Sequence, residues 1–207
     1  MVKRKWLVAA VVVGIVLGWA LGPALASDDE IAQQISRGLE LYRQGKLTQA
    51  ISELEFALAQ MKQKKAGLLG GIFPPAPTGW KVEKPEGGAM GTILGGGVRA
   101  SCRYIQQGGD GEASIDVLTD SPFIVTLGAM LSNPLMLQGA GAGKLVRVKG
   151  FKGLLKAEAP KHAELQLLAY GKVLINITVD GVAKAKEMAL GLAEGINYAK
   201  LKKLVNQ

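Results

Sequence analysis

The stretch Ser101–Leu137, SCRYIQQGGDGEASIDVLTDSPFIVTLGAMLSNPLML, limits the possible folds of this chain more than any other. Gly108-Gly-Asp-Gly111 supplies residues that tolerate the positive φ of a tight connection between strands. After it, Ala113, Ile115 and Val117 alternate with Ser114, Asp116 and Leu118, a period near two that suits a strand with one buried face. Asp120-Ser121-Pro122 stops that strand and opens a helix, with a carboxylate or hydroxyl to cap it and Pro at its first position. Asn133-Pro134 closes the helix. A β-hairpin that runs into a nearly all-apolar helix requires a sheet and something to cover both.

The beginning of the chain reads as an export signal over residues 1–26. Lys3, Arg4 and Lys5 form a basic start, Trp6 to Leu21 an apolar core, and Pro23-Ala-Leu-Ala26 the small-residue pattern that a signal peptidase cleaves. The alternative is an uncleaved N-terminal membrane anchor, since the apolar run approaches the length of a span. The chain has 25 basic and 17 acidic residues. Three of the basic residues lie in the signal, which leaves 22 against 17, a net charge of +5 on the rest. In an exported, periplasmic protein this dispersed excess argues against nucleic acid and for weak contact with anionic membrane surfaces at most. Cys102 is the single cysteine, so no intramolecular disulfide can form.

Residues 27–69 read as a helical hairpin. Ile31, Ile35, Leu39 and Tyr42 recur at helical spacing, Gln44-Gly45-Lys46 interrupts, and Thr48 caps a second helix bearing Ile51, Leu54, Leu58 and Met61. Gly38, Gly45, Ala50 and Ala57 stand at the offsets of a tetratricopeptide repeat, which this segment resembles. Leu41 and Leu54 replace the usual aromatics and Lys62 the closing Pro. One such unit cannot bury its own apolar face and needs a neighbour. Residues 70–97 are rich in Pro and Gly and read as a linker, with Phe73 and Trp80 as anchors and Trp80–Glu83 as a short edge strand.

Residues 98–207 read as an α+β sandwich domain: an antiparallel sheet with two packed helices, one central and one C-terminal. Strands are expected at Lys144–Lys149, Phe151–Glu158, Glu164–Ala169 and Lys172–Asp180. A long helix is expected from Val182 to about Leu204, in which Gly191 and Gly195 permit close backbone approach. This order is similar to the small sandwiches of the PsbP, Mog1 and DcrB kind. With Asp120-Ser121-Pro122 and Ser132-Asn133-Pro134 following Gly95-Gly-Gly97, the chain also resembles a family of uncharacterised bacterial exported proteins with a tetratricopeptide-like hairpin. That resemblance implies a fold and a compartment and no activity.

Catalytic chemistry finds little to stand on. Gly139-Ala-Gly-Ala-Gly-Lys144 lacks both the spacing and the Ser/Thr of a phosphate loop, with Leu145 where the hydroxyl should be. Ser121 and Cys102 are possible nucleophiles and His162 the one imidazole, without a Gly-x-Ser-x-Gly elbow. Carboxylate pairs such as Asp116 with Asp120 could act as acid and base, but alternating or capping carboxylates are ordinary, and zinc would need more His and Cys than the chain has. No metal or other cofactor is implied. The expected function is a non-enzymatic envelope module for protein interaction, with another envelope protein or a second copy as partner. Its expected surface is Leu41, Tyr42, Leu54 and Leu58 of the hairpin with Phe123, Leu127, Met130 and Leu131 of the central helix. The alternative is a carrier or sensor of a small apolar ligand held between that helix and the sheet. The central helix is apolar around most of its circumference, and the hairpin is the expected cover for the excess.

Overall fold

A computed structural model describes residues 27–91, 96–132, 143–159 and 161–206. Residues 1–26, read as an export signal, Gly95, the expected helix stop at Asn133-Pro134, Leu135-Met136-Leu137 and most of the Gly139–Lys144 loop lie outside the described residues. The fold is α+β: two N-terminal helices, an antiparallel sheet of eight strands, and further helices on both sheet faces.

Helix α1 (Asp28–Arg43) opens with a capping box: Ser27 Oγ accepts from the Glu30 amide, and the Glu30 carboxylate accepts from the Ser27 amide. Asp28, Asp29 and Glu30 add negative charge where the helix dipole favours it. Gly45, at φ 74°, turns the chain into α2 (Leu47–Leu69). Thr48, expected as the cap, instead lies in the first turn of α2; Lys46 precedes the helix without a side-chain cap. Asp28 pairs with Lys64, Arg37 with Glu53, and Gln34 donates to Glu53, so the two helices run antiparallel along most of α1.

The strands are β1 (Trp80–Val82), β2 (Glu86–Ala89), β3 (Val98–Gln106), β4 (Glu112–Thr119), β5 (Lys144–Val148), β6 (Phe151–Ala159), β7 (His162–Ala169) and β8 (Val173–Asp180). Their order is β1-β3-β4-β8-β7-β6-β5, and β2 shares with β1 the outer edge of β3. From β4 the chain crosses to the far edge through α3 (Phe123–Ser132). It returns as the meander β5 to β8, which closes on β4 with Ile115 opposite Ile177. Alternation sends Ala100, Cys102, Tyr104, Ile115, Val117, Leu165, Leu167, Ile175 and Ile177 to one face. Burying each large one stabilises the fold by about 1.5–3 kcal/mol. That face is covered by α4 (Ala185–Gly195), α5 (Tyr198–Val205) and the last turns of α2.

The C-terminal helix, expected to be continuous, is broken at Ile196-Asn197. Ile196 is extended and buried, the Asn197 amide donates to the Ile72 carbonyl at 3.0 Å, and the Asn197 side chain caps α5 at Lys200. Gly195 makes the break possible, because a Cβ there would stand 2.9 Å from the Pro74 ring. Gly191 meets nothing and is no close-approach site. Phe151, Tyr170 and Tyr198 cluster beside α5, with the Tyr170 hydroxyl donating to the Tyr198 carbonyl.

The stretch read as a linker is largely built into the domain. Ile72 is fully buried in a short 3-10 turn, Phe73 and Trp80 pack on the core as expected, and the Tyr104 hydroxyl donates to the Pro74 carbonyl at 2.8 Å. Strand β2, which composition hid, pairs Gly87 with Ala100 and lets the Ala66 side chain of α2 approach. The expected cover for α3 is also corrected. Ile124, Leu127 and Leu131 pack on Leu118, Leu154 and Leu174 of the second sheet face, with Leu168 and Met90 at the margin, and not on the helical hairpin.

Candidate functional site

The α1–α2 seam is made of small residues. Gly38, Ala50 and Ala57 are buried there with Ile31, and a Cβ at Gly38 would meet Leu54 Cγ at 2.7 Å. Close approach of two backbones on small side chains leaves the large ones outside. Ile35 and Tyr42 follow Ile31 and Gly38 by four residues; Leu54 and Met61 follow Ala50 and Ala57 by four. In antiparallel helices the same rotation away from the seam leads to the same side, so the two stripes form one face. Ile35, Leu39 and Tyr42 on α1, with Leu47, Ile51, Leu54, Leu58 and Met61 on α2, are 40–61% exposed.

The eight residues expected to form a contact surface divide accordingly. Tyr42, Leu54 and Leu58 lie on this face, and Leu41 is half-buried toward the seam. On α3, Phe123 is exposed, Met130 half-buried, and Leu127 and Leu131 are buried against the sheet, so they offer no free surface. Hairpin and α3 do not merge into one patch. Their link is polar: Lys65 Nζ donates to Asp120 Oδ2 at 2.6 Å, and Thr119 Oγ1 donates to the same oxygen at 2.9 Å. Burial alone would raise the Asp120 carboxyl, but these two bonds and the charges of Lys65 and Lys62 outweigh it and hold it below its usual range. Asp120, itself at φ 57°, is therefore engaged by α2 and does not cap α3, whose first turn is closed by the Ser121 and Pro122 carbonyls.

Sequence reasoning left Ile35, Leu39, Leu47, Ile51 and Met61 out of the contact surface. Most of them carried the helical periodicity, which marks an apolar stripe but not whether a partner within the fold covers it. The signal that separates the cases is the rival stripe of small residues, Gly38, Ala50 and Ala57, which takes the seam.

A second concave region lies on the open sheet face. A shallow depression of about 710 Å³ is lined by Glu86–Gly91, Arg99, Ser101, Asp116, Leu118 and Asn176. Arg99 Nε donates to Asp116 at 2.7 Å, and the Asn176 Oδ1 atom is buried without a hydrogen-bond partner among the described residues. These groups can bind polar atoms, but among the described residues no nucleophile is set against an imidazole. Cys102 faces the core with its thiol pushed up by burial. Ser121 follows the end of β4, whereas His162 pairs across Asp180 with Glu112 at its start, so the two are separated by the length of β4, about seven residues or ~24 Å along the strand. Asp116 is held by Arg99 and Asp120 by Lys65, which leaves no converging carboxylate pair.

At the other end of β7, His162 Nδ1 lies 2.6 Å from Asp180 Oδ1 and Nε2 3.6 Å from Glu164. The Asp180 bond raises the imidazole pKa above 6.5, against the opposing effect of burial and with support from both carboxylate charges. Among the described residues no group of three or more His, Cys, Asp or Glu is placed to hold a metal ion, and no helix is long and apolar enough to cross a membrane. Comparison of the chain with protein-family models, with curated proteins and with solved structures gives no match.

Proposed function

We propose that this protein is a non-enzymatic interaction module of the cell envelope, exported by residues 1–26, which binds a protein partner through the outer face of its helical hairpin. The observation that carries the reading is the face itself. The seam consumes the small residues of both helices and leaves eight large apolar side chains in water. An apolar surface of that extent marks a site of association. The packing of α3 supports the same reading. Ile124, Leu127 and Leu131 fill the space over Leu118, Leu154 and Leu174, where a carried apolar ligand would have to sit. Localisation rests on the basic, apolar and small-residue pattern of residues 1–26.

The test is cross-linked affinity capture from the native envelope fraction, run in parallel with Leu58→Glu, which changes an exposed residue. A defined species recovered with the wild type and lost with the folded variant is expected. Equal recovery by both proteins overturns the role of this face. Mass spectrometry of the recovered chain checks the export reading, which expects Ser27 as the first residue.

A further inference from the structure

We infer that the partner of the hairpin face is a second copy of this chain, paired about a two-fold axis that crosses both helices at mid-length. The inference rests on the interaction reading above and names its occupant. A two-fold interface must be complementary to itself, and two independent patterns on this face have that property about one level of the hairpin.

The first pattern is apolar. Along α2, Leu47, Ile51, Leu54, Leu58 and Met61 are spaced −7, −3, 0, +4 and +7 about Leu54. An antiparallel second copy of α2 crossing at Leu54 sets Leu47 against Met61 and brings Ile51 within one residue of register with Leu58, in both directions. The second pattern is electrostatic. Asp28 precedes Ile35 by seven residues and Arg43 follows Leu39 by four, so the two charges end the α1 stripe, one at each end. Crossing two copies of α1 at their midpoint, between Ile35 and Ser36, places each Asp28 against the other copy's Arg43.

The two midpoints lie at the same height. Glu53 bonds Gln34 and pairs with Arg37, and Leu54 abuts Gly38, so the middle of α1 stands beside Leu54. One axis thus satisfies both patterns. The area is also adequate: covering the exposed parts of the eight side chains removes roughly 800 Å² per copy, near the ~800 Å² per partner of a standard stable interface. The paired hairpins form a four-helix bundle in which the apolar face becomes its core.

The experiment uses the protein in the form that accumulates in the cell. Sedimentation equilibrium from about 1 to 100 μM gives its association state, and far-UV circular dichroism checks the fold of each variant. A dimer is expected, abolished by Leu58→Lys. Arg43→Glu should weaken it about tenfold, since it sets two like-charge contacts across the axis; Asp28→Lys sets the same two and in addition loses the Lys64 pair within its own chain. The double variant Asp28→Lys/Arg43→Glu should recover most of the loss caused by Arg43→Glu. A monomer throughout the range overturns the self-pairing; the envelope capture with Leu58→Glu then decides separately whether the face binds something else. A dimer that survives both Leu58→Lys and Ile51→Lys, or charge reversals that the double variant does not repair, overturns the pairing geometry.

Discussion

Tyr104→Phe removes a single oxygen from the largest fully buried side chain of the sheet, and its consequence can be worked out from the structure. The Tyr104 hydroxyl donates to the Pro74 carbonyl at 2.8 Å, and both residues are buried. No water reaches the carbonyl to replace the lost donor. The change forfeits a hydrogen bond worth about 1 kcal/mol net and adds a desolvated acceptor, for a total of about 2 kcal/mol. For a chain of this size that lowers Tm by roughly 5 °C. Thermal unfolding and urea titration measure it, and the urea slope should stay unchanged because the surface exposed on unfolding is the same. Hydrogen exchange adds a local test: the Trp80 amide, which donates to the Pro77 carbonyl at 3.0 Å, should lose protection, whereas those of central β8 should change only with global stability. A Tm within about 1 °C of wild type, or unaltered exchange at Trp80, would show that this segment is the loose connection its composition suggests.

Gly195→Ala should destabilise by about 1–2 kcal/mol, because its Cβ would lie 2.9 Å from the rigid Pro74 ring; Gly191→Ala, with open space around it, should be neutral or slightly stabilising, and thermal unfolding separates the two. The His162–Asp180 pair predicts a pH dependence of known sign. Its contribution is fully present below the ordinary imidazole value of 6.5 and is lost as pH rises through the raised folded value, so the stability gap between wild type and His162→Gln should shrink with rising pH. A gap that widens instead contradicts the assignment. Asp120→Asn should cost a few tenths of a kcal/mol above the usual carboxylate range and nothing in strong acid, since the exposed Lys65–Asp120 pair is present only while Asp120 is ionised.

How much of this was legible in the sequence varied with the kind of signal. The β3–β4 hairpin, α3 and the meander were readable because turn residues and period-two alternation are local. The break in the C-terminal helix was not. Ile196 continues the apolar stripe, and only the arrival of Ile72 and Pro74, more than a hundred residues earlier, makes an extended residue there favourable. Strand β2 was hidden for a similar reason: Glu86-Gly-Gly-Ala89 has no strand propensity, and its glycines serve the close approach of β3 and Ala66.

The candidate site shows the same limit in another form. Periodicity located the apolar residues of both hairpin helices, of which Tyr42, Leu54 and Leu58 are exposed, but Leu127 and Leu131, grouped with them as one contact surface, are buried. An all-apolar helix can lie with one side on a second sheet face, and whether that face exists is decided by topology. Leu118, Leu154 and Leu174 provide it, from three different strands.

The most direct test of the proposed role is site-specific photo-cross-linking in living cells, with the reactive group placed at Leu58 on the hairpin face and, as control, at Lys172 in the exposed turn before β8. The account predicts a discrete adduct from position 58 and none from position 172. A chain that gives no adduct from position 58, or the same products from both, would contradict the assignment of this face as the contact surface.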